Sequence, residues 1–261
     1  MKKMRRLIPA IAMLLVSAVM LSTASFAWFT ISNSAQVSGM EVTATAGSSL
    51  LIVDAKAGGL AVGDFTAANG ILSLTGVENP LQPATSVDGV MNTISDTGVV
   101  DPATGKAPTE VGLTTTGVTE ANNYYYDYVV AIGAAGTEVN GTLTATVDVD
   151  AFTKVLHNAV SIDFLMATTT DGVPGTPAYV ADSTIHFADS ANGANDLVVD
   201  LGEVTVPLTI VEEALGEYIV VVMRVYFDGA LDNAAEPGTT YVRNAYATED
   251  PIGFDVKFEI N

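Results

Sequence analysis

The chain has 261 residues and a net charge of −20, from 10 Lys and Arg against 30 Asp and Glu. Such an acidic chain repels nucleic acids and anionic membrane surfaces, which excludes both as partners. It contains no Cys, which excludes thiol catalysis, thiolate metal ligands and disulfides, although a chain of this length can bury a core without them.

The first 27 residues have the features of a secretory signal peptide. Four basic residues lie among the first six, an uncharged and mostly apolar stretch covers 7–21, and the small residues Ser25 and Ala27 mark a cleavage site after Ala27. We predict an N-terminal signal helix that contacts the membrane only until signal peptidase removes it, and a secreted protein of the extracellular space or cell surface. The alternative is an uncleaved membrane anchor, because about 20 apolar residues span a bilayer.

Cleavage would leave 6 basic and 30 acidic residues, a net charge of −24, in a single domain over 28–261. Strand patterns dominate this part. We predict strands at 37–46, 50–53, 71–74, 124–132, 142–149, 159–166, 197–199, 204–210, 217–227 and 252–260. Helical patterns are limited to two turns at 151–158 and one turn at 210–215 that ends at Gly216. The sequence therefore predicts an all-β fold of the sandwich type.

The stretch 55–122 differs from the rest because it is rich in Gly, Thr, Pro and Asn and has few long apolar runs. We interpret it as a loop-rich insertion with one or two short hairpins.

No catalytic constellation is present in the sequence, so we predict that the protein is not an enzyme and needs no cofactor. The two histidines, His157 and His186, lie in unrelated segments, and no His-Glu-x-x-His helix holds them for zinc. A Gly-x-Ser-x-Gly turn and a phosphate-binding Gly-Lys loop are also missing.

Two features leave a binding module open as an alternative. Asp148 and Asp150 point outward from one predicted strand, which suits solvation better than calcium binding. The tyrosine run could form a platform for carbohydrate, with one face shared by Tyr124, Tyr126 and Tyr128 and the other taken by Tyr125. Packing in the core is the simpler explanation for bulky aromatic side chains on a strand.

The segment after the predicted cleavage site carries the strongest functional signal. It begins Trp28-Phe29-Thr30-Ile31, which is apolar and strand-like. Such a segment can pair with its own sheet, or it can add to the open sheet edge of a neighbouring molecule.

Three motifs together resemble the camelysin/TasA family, which Gram-positive bacteria secrete through a dedicated SipW-type signal peptidase. They are Ser22-Thr-Ala-Ser-Phe-Ala-Trp-Phe29, the following Val37-Ser-Gly-Met-Glu-Val-Thr-Ala44, and Val225-Tyr-Phe-Asp-Gly229 with the alternating final strand. The stretch 55–122 departs from the smaller members of the family.

The resemblance implies a jelly-roll sandwich and a structural role as a homo-oligomeric fibre subunit of the cell surface or biofilm matrix. In that family the segment after the cleavage site is a donor strand that completes the next subunit. Carried onto this chain, the donor strand covers 28–37 and offers Trp28, Phe29, Ile31 and Val37. Camelysin is also described as a metalloprotease, but this sequence has no ligand set to which that activity could be transferred.

Overall fold

The computed structural model describes residues 41–46, 50–66, 71–74, 81–95, 112–134, 137–150, 159–170, 173–191, 194–206, 209–211, 214–229 and 253–261. The predicted signal helix, its cleavage site (Ser25, Ala27), the donor residues Trp28, Phe29, Ile31 and Val37, and the predicted helix at 151–158 with His157 lie outside the described residues.

Strands make up most of the described chain, so the predicted all-β class is confirmed. In chain order they are β1 Glu41–Ala46, β2 Leu50–Asp54, β3 Ile71–Leu74, β4 Pro83–Val87, β5 Val90–Ser95, β6 Gly112–Thr114, β7 Tyr125–Ala134, β8 Val139–Val149, β9 Val160–Thr170, β10 Val173–Pro174, β11 Ala178–Tyr179, β12 Ile185–His186, β13 Leu197–Val206, β14 Ile210–Val211, β15 Ala214–Leu215, β16 Ile219–Asp228 and β17 Gly253–Ile260. A short helix, α1 (Val62–Thr66), and 3₁₀ turns at Glu120–Asn122 and Phe187–Ser190 accompany them.

The first sheet has the strand order β13-β8-β17-β1-β3. β17 pairs with β8 in antiparallel register and with β1 in parallel register, and it therefore connects the two halves of the sheet. The alternation predicted for β17 is confirmed, because Phe254, Val256 and Phe258 are buried while Asp255 and Lys257 are exposed.

The second sheet is built around β16, which pairs with β7 on one side and β9 on the other. β2 extends the sheet beyond β7, and the short strands β10, β11 and β12 follow the outer side of β9. The β4–β5 hairpin joins in parallel at the end of β16, and β6 pairs with β5. Almost every side chain of β16 is buried, as expected of a central strand covered on both faces.

The two sheets share one apolar core. From the first sheet it takes alternate residues of β8, β13 and β17, and from the second sheet alternate residues of β2, β7, β9 and β16. Rings fill its centre, because Phe254 packs edge-on against both Phe187 and Tyr128. The outer face of the second sheet carries a further apolar cluster, in which Phe65 of α1 lies 5.5 Å from the ring of Tyr218.

Two predicted elements need correction. The strands predicted at 197–199 and 204–210 are mainly one strand, β13, because a bulge between Asp200 and Glu203 lets the pairing with β8 continue. At the bulge Gly202 has a φ of +96° and donates its N–H to the Asp200 carboxylate at 2.7 Å. The helical turn predicted at 210–215 is wrong, since β14 and β15 pair there as a small hairpin.

In the part of the chain that the structure describes, every helix is too short to cross a lipid bilayer.

Candidate functional site

Three charged residues lie side by side in the middle of the second sheet. In the register of β7, β16 and β9, Arg224 faces Asp127 on one side and Asp163 on the other. The guanidinium of Arg224 donates from Nε and Nη2 to the two carboxylate oxygens of Asp127, both at 2.8 Å. The pair is mostly enclosed, with side-chain exposures of 17% for Arg224 and 18% for Asp127. Such bidentate pairs fix geometry as well as charge.

Asp163 is completely buried and is surrounded by hydroxyl groups. Its carboxylate accepts hydrogen bonds from Ser86, from Thr184 at 2.7 Å and from Tyr226 at 3.2 Å. Burial, together with the negative charge of Asp163 and Asp228, raises the pKa of the Tyr226 hydroxyl, which keeps it protonated as a donor. These bonds tie β9 to the β4–β5 hairpin, to β16 and to the loop before β12.

The guanidinium of Arg224 also lies 4.2 Å from the centre of the Tyr125 ring. Burial alone would lower the pKa of Arg224, but the hydrogen bonds and charge of Asp127, with smaller contributions from Tyr125 and Asp163, raise it. Arg224 is therefore a permanent cation held between two carboxylates and an aromatic face.

A cleft of about 650 Å³ begins at this charged pair and runs over the outer face of the second sheet. Its floor consists of aliphatic side chains: Val129, Leu165, Val220 and Val222. One wall is the segment 55–60, which follows β2, and the other is the segment 173–177, which contains β10. Tyr218 closes the end opposite Arg224. We call this feature the outer cleft. An apolar cavity of this size with a few polar groups at one end has the form of a small-ligand site.

A second opening lies between the sheets, beside the edge strand β13. Among the described strands β13 is at the edge of the first sheet, because it pairs with β8 on one side and with no described strand on the other. Next to it is a cavity of about 570 Å³, lined by Val204 and Thr205 of β13, by Met166 and Thr168 of β9, and by Ile219. Val204, Met166 and Ile219 belong to the shared core or pack against it, so the opening reaches apolar interior side chains. We call this feature the edge opening.

The tyrosine run is distributed differently from the prediction. Tyr126 and Tyr128 face the shared core as expected, but Tyr124 precedes the strand and packs with Tyr125 around Ala84, Met91 and Tyr226. Burial and then the neighbouring Tyr126 raise the pKa of Tyr128.

Cations lie over two of the rings in the run, Tyr125 and Tyr126. Lys56 lies 3.3 Å from the centre of the Tyr126 ring and is bound to Glu120, while Arg224 lies over Tyr125. Because a cation already covers one face of Tyr125 and of Tyr126, we interpret these cation–π contacts as part of the packing of the protein.

The other described residues that the sequence analysis singled out, His186, Asp148 and Asp150, line neither opening. His186 of β12 shares a hydrogen bond of 2.8 Å with Ser161. Asp148 and Asp150 are exposed, as predicted, and Asp148 stands opposite Asp255 of β17. Partial desolvation by the surrounding protein, and then the charges of Asp196, Asp255 and Asp150, raise the pKa of Asp148 although its side chain is exposed. Within the described residues no three His, Asp or Glu side chains converge in an arrangement that could hold a metal ion.

Comparison of the chain with protein-family models, with curated proteins and with solved structures finds no match. The candidate sites therefore depend on the geometry alone.

The residues at the charged end of the outer cleft were not among the sequence predictions. A signal for them was present, because Asp127 and Asp163 are each the only charged residue of their strand, and Arg224 is the only charged residue of β16 before its last residue, Asp228. Charges of opposite sign in three such strands indicate that the strands are neighbours, since a buried charge needs a partner.

Proposed function

We propose that this protein is a secreted structural subunit with a jelly-roll-like sandwich, which polymerises by donor-strand exchange into extracellular surface or biofilm-matrix fibres. The observation that carries the proposal is the edge opening. An edge strand with apolar interior side chains next to it is the geometry that an added strand from another molecule completes.

The proposed donor is the segment 28–37 of a second copy of the chain. In an extended strand Phe29, Ile31 and Val37 share one face, because side chains alternate with a period of two. Laid along β13, that face would cover Val204 and Met166 at the edge opening. Burying each large apolar side chain contributes about 1.5–3 kcal/mol, so two or three of them can hold subunits together along with the main-chain hydrogen bonds.

The chain's lack of cysteine makes a cross-linking test direct. Val198 of β13 is 67% exposed and provides one position for an introduced cysteine. The second cysteine replaces Thr30, Ser32 or Ser34, one in each variant. These three residues lie on the face of the donor strand that would point to solvent, so the three variants test different registers between the donor strand and β13. We expect one of the three double variants to form a ladder of disulfide-linked multimers on a non-reducing gel, and filaments to appear by electron microscopy.

The matched control places the acceptor cysteine at Val87 of β4, which is 47% exposed and lies in the other sheet. It should give no ladder with the same donor cysteines. A mature protein that stays monomeric with residues 28–37 intact, or that cross-links equally well through Val87, would contradict strand donation onto β13.

The alternative function, a carbohydrate- or calcium-binding module, predicts a different result. The same mature protein would stay monomeric, and it would bind glycans or calcium in a screen.

A further inference from the structure

We infer that the outer cleft is a binding site for a small, neutral aliphatic molecule that carries a carbonyl or amide group. This site is separate from the proposed fibre contact, since it lies on the outer face of the second sheet and the edge opening lies between the sheets. The two features share only Gly175 and Thr176, on the wall between them.

The aliphatic floor of the outer cleft indicates that most of the ligand is a hydrocarbon chain. Val129, Leu165, Val220 and Val222 present branched aliphatic groups, and the described lining contains a single aromatic residue, Tyr218, at the far end. Sugars are usually held by stacking on flat aromatic faces, whereas hydrocarbon chains pack well against valine and leucine. Of the floor residues Val220 and Val222 are almost fully buried, so the floor is a fixed surface of the sheet.

The charged end of the outer cleft, formed by Arg224 and Asp127, indicates which polar group the ligand carries. Asp127 occupies Nε and Nη2 of Arg224, and no described residue accepts a hydrogen bond from Nη1. A carbonyl oxygen is a suitable acceptor for the remaining N–H groups, and an amide N–H can donate to the Asp127 carboxylate. The pair thus offers a donor and an acceptor next to each other, as an amide group does.

The charges around Arg224 disfavour ligands with an ionised polar group, whether anionic or cationic. Arg224 is flanked by Asp127 and Asp163, and Lys56, the nearest other cation described, is bound to Glu120. An anionic head would therefore meet more carboxylates than cations in a chain whose net charge is −20. A cationic head offers no acceptor to Nη1 of Arg224 and is repelled by the charge of the guanidinium. A neutral amide satisfies both partners.

Calorimetric titration of the mature protein with hexanamide, octanamide and decanamide tests the inference. We expect saturable binding of one molecule per chain. Affinity should rise about fourfold for each added methylene until the alkyl chain fills the cleft. Octanoate and octylamine, which have alkyl chains of similar length with charged heads, should bind at least tenfold more weakly than octanamide.

Two variants locate the site. Val129→Phe places a larger side chain on the floor of the cleft, and phenylalanine is favoured in β-strands. This variant should abolish binding of octanamide. Val87→Phe makes the same change on an exposed valine of β4, outside both openings, and should leave binding unchanged. Should Val129→Phe fold poorly, Val173→Phe on the wall provides a second blocking variant, since that valine lines only the outer cleft and is 67% exposed.

The inference is overturned if no alkyl amide binds saturably to the folded protein. It is also overturned if octanoate binds as tightly as octanamide, or if the blocking variants retain the affinity of the Val87→Phe control.

Discussion

Replacing Thr184 by valine tests the role of the hydroxyl groups around Asp163. Asp163 is completely buried, and the 2.7 Å bond from Thr184 is the shorter of the two measured bonds to its Oδ1 atom. Valine keeps the shape of threonine and removes the donor. Hydrogen bonds to charged groups contribute about 1.5–3 kcal/mol, so we expect a loss of about 2 kcal/mol in the free energy of unfolding. For a domain of this size that loss lowers Tm by about 4–8 °C.

Urea denaturation followed by circular dichroism measures this loss as a lower midpoint with an unchanged slope. Thr184→Ser is the matched control, because it keeps the hydroxyl and should cost less than about 1 kcal/mol. A double-mutant cycle with Asp163→Asn then isolates the bond, since the coupling should exceed 1 kcal/mol. If Thr184→Val is as stable as Thr184→Ser, the buried carboxylate does not depend on this donor and our account of the cluster is wrong.

Three further predictions concern other parts of the fold. Gly133→Ala would place a Cβ inside the side chain of Thr209, so it should cost about 1–3 kcal/mol in thermal unfolding, and Thr209→Gly should partly rescue it. Asp148→Asn should stabilise the protein at pH 7. Partial desolvation and the neighbouring aspartates raise the pKa of Asp148 on folding, so its contribution becomes unfavourable as pH rises through the ordinary value to the raised one. That advantage should disappear below the ordinary pKa and shrink in high salt; an advantage independent of pH would refute this reasoning. Asp127→Asn should destabilise more than the double variant Asp127→Leu/Arg224→Leu, because it leaves a buried guanidinium unpaired. Equal stabilities in urea would contradict that.

Strand positions could be predicted from the sequence where the side chains alternate or form a continuous apolar run. The alternation of β17 fixed both its limits and its buried face. The apolar run of β16 indicated a strand, and its place in the centre of the second sheet follows from the burial of both faces. The prediction of two strands at 197–199 and 204–210 divided β13 at its bulge, because a bulge and a loop use the same kinds of residue.

The outer cleft could be predicted only in part. The isolated charges within β7, β9 and β16 could have predicted that Arg224 lies next to Asp127 and Asp163. The cavity itself depends on how the segments 55–60 and 173–177 pass over the sheet, and they are more than a hundred residues apart in the chain. A local sequence pattern cannot predict that two segments so far apart in the chain lie close together in the fold. The predicted donor strand at 28–37 stays a prediction, because it lies outside the described residues.

The position of β17 has a consequence for the timing of folding during biosynthesis. Without β17 the first sheet separates into β13-β8 and β1-β3, because β17 is the strand that joins them. Ribosomes add about 5–20 residues per second, so β1 would wait on the order of 10–40 s for its parallel partner. A nascent chain therefore cannot close its first sheet before β17 has been synthesised.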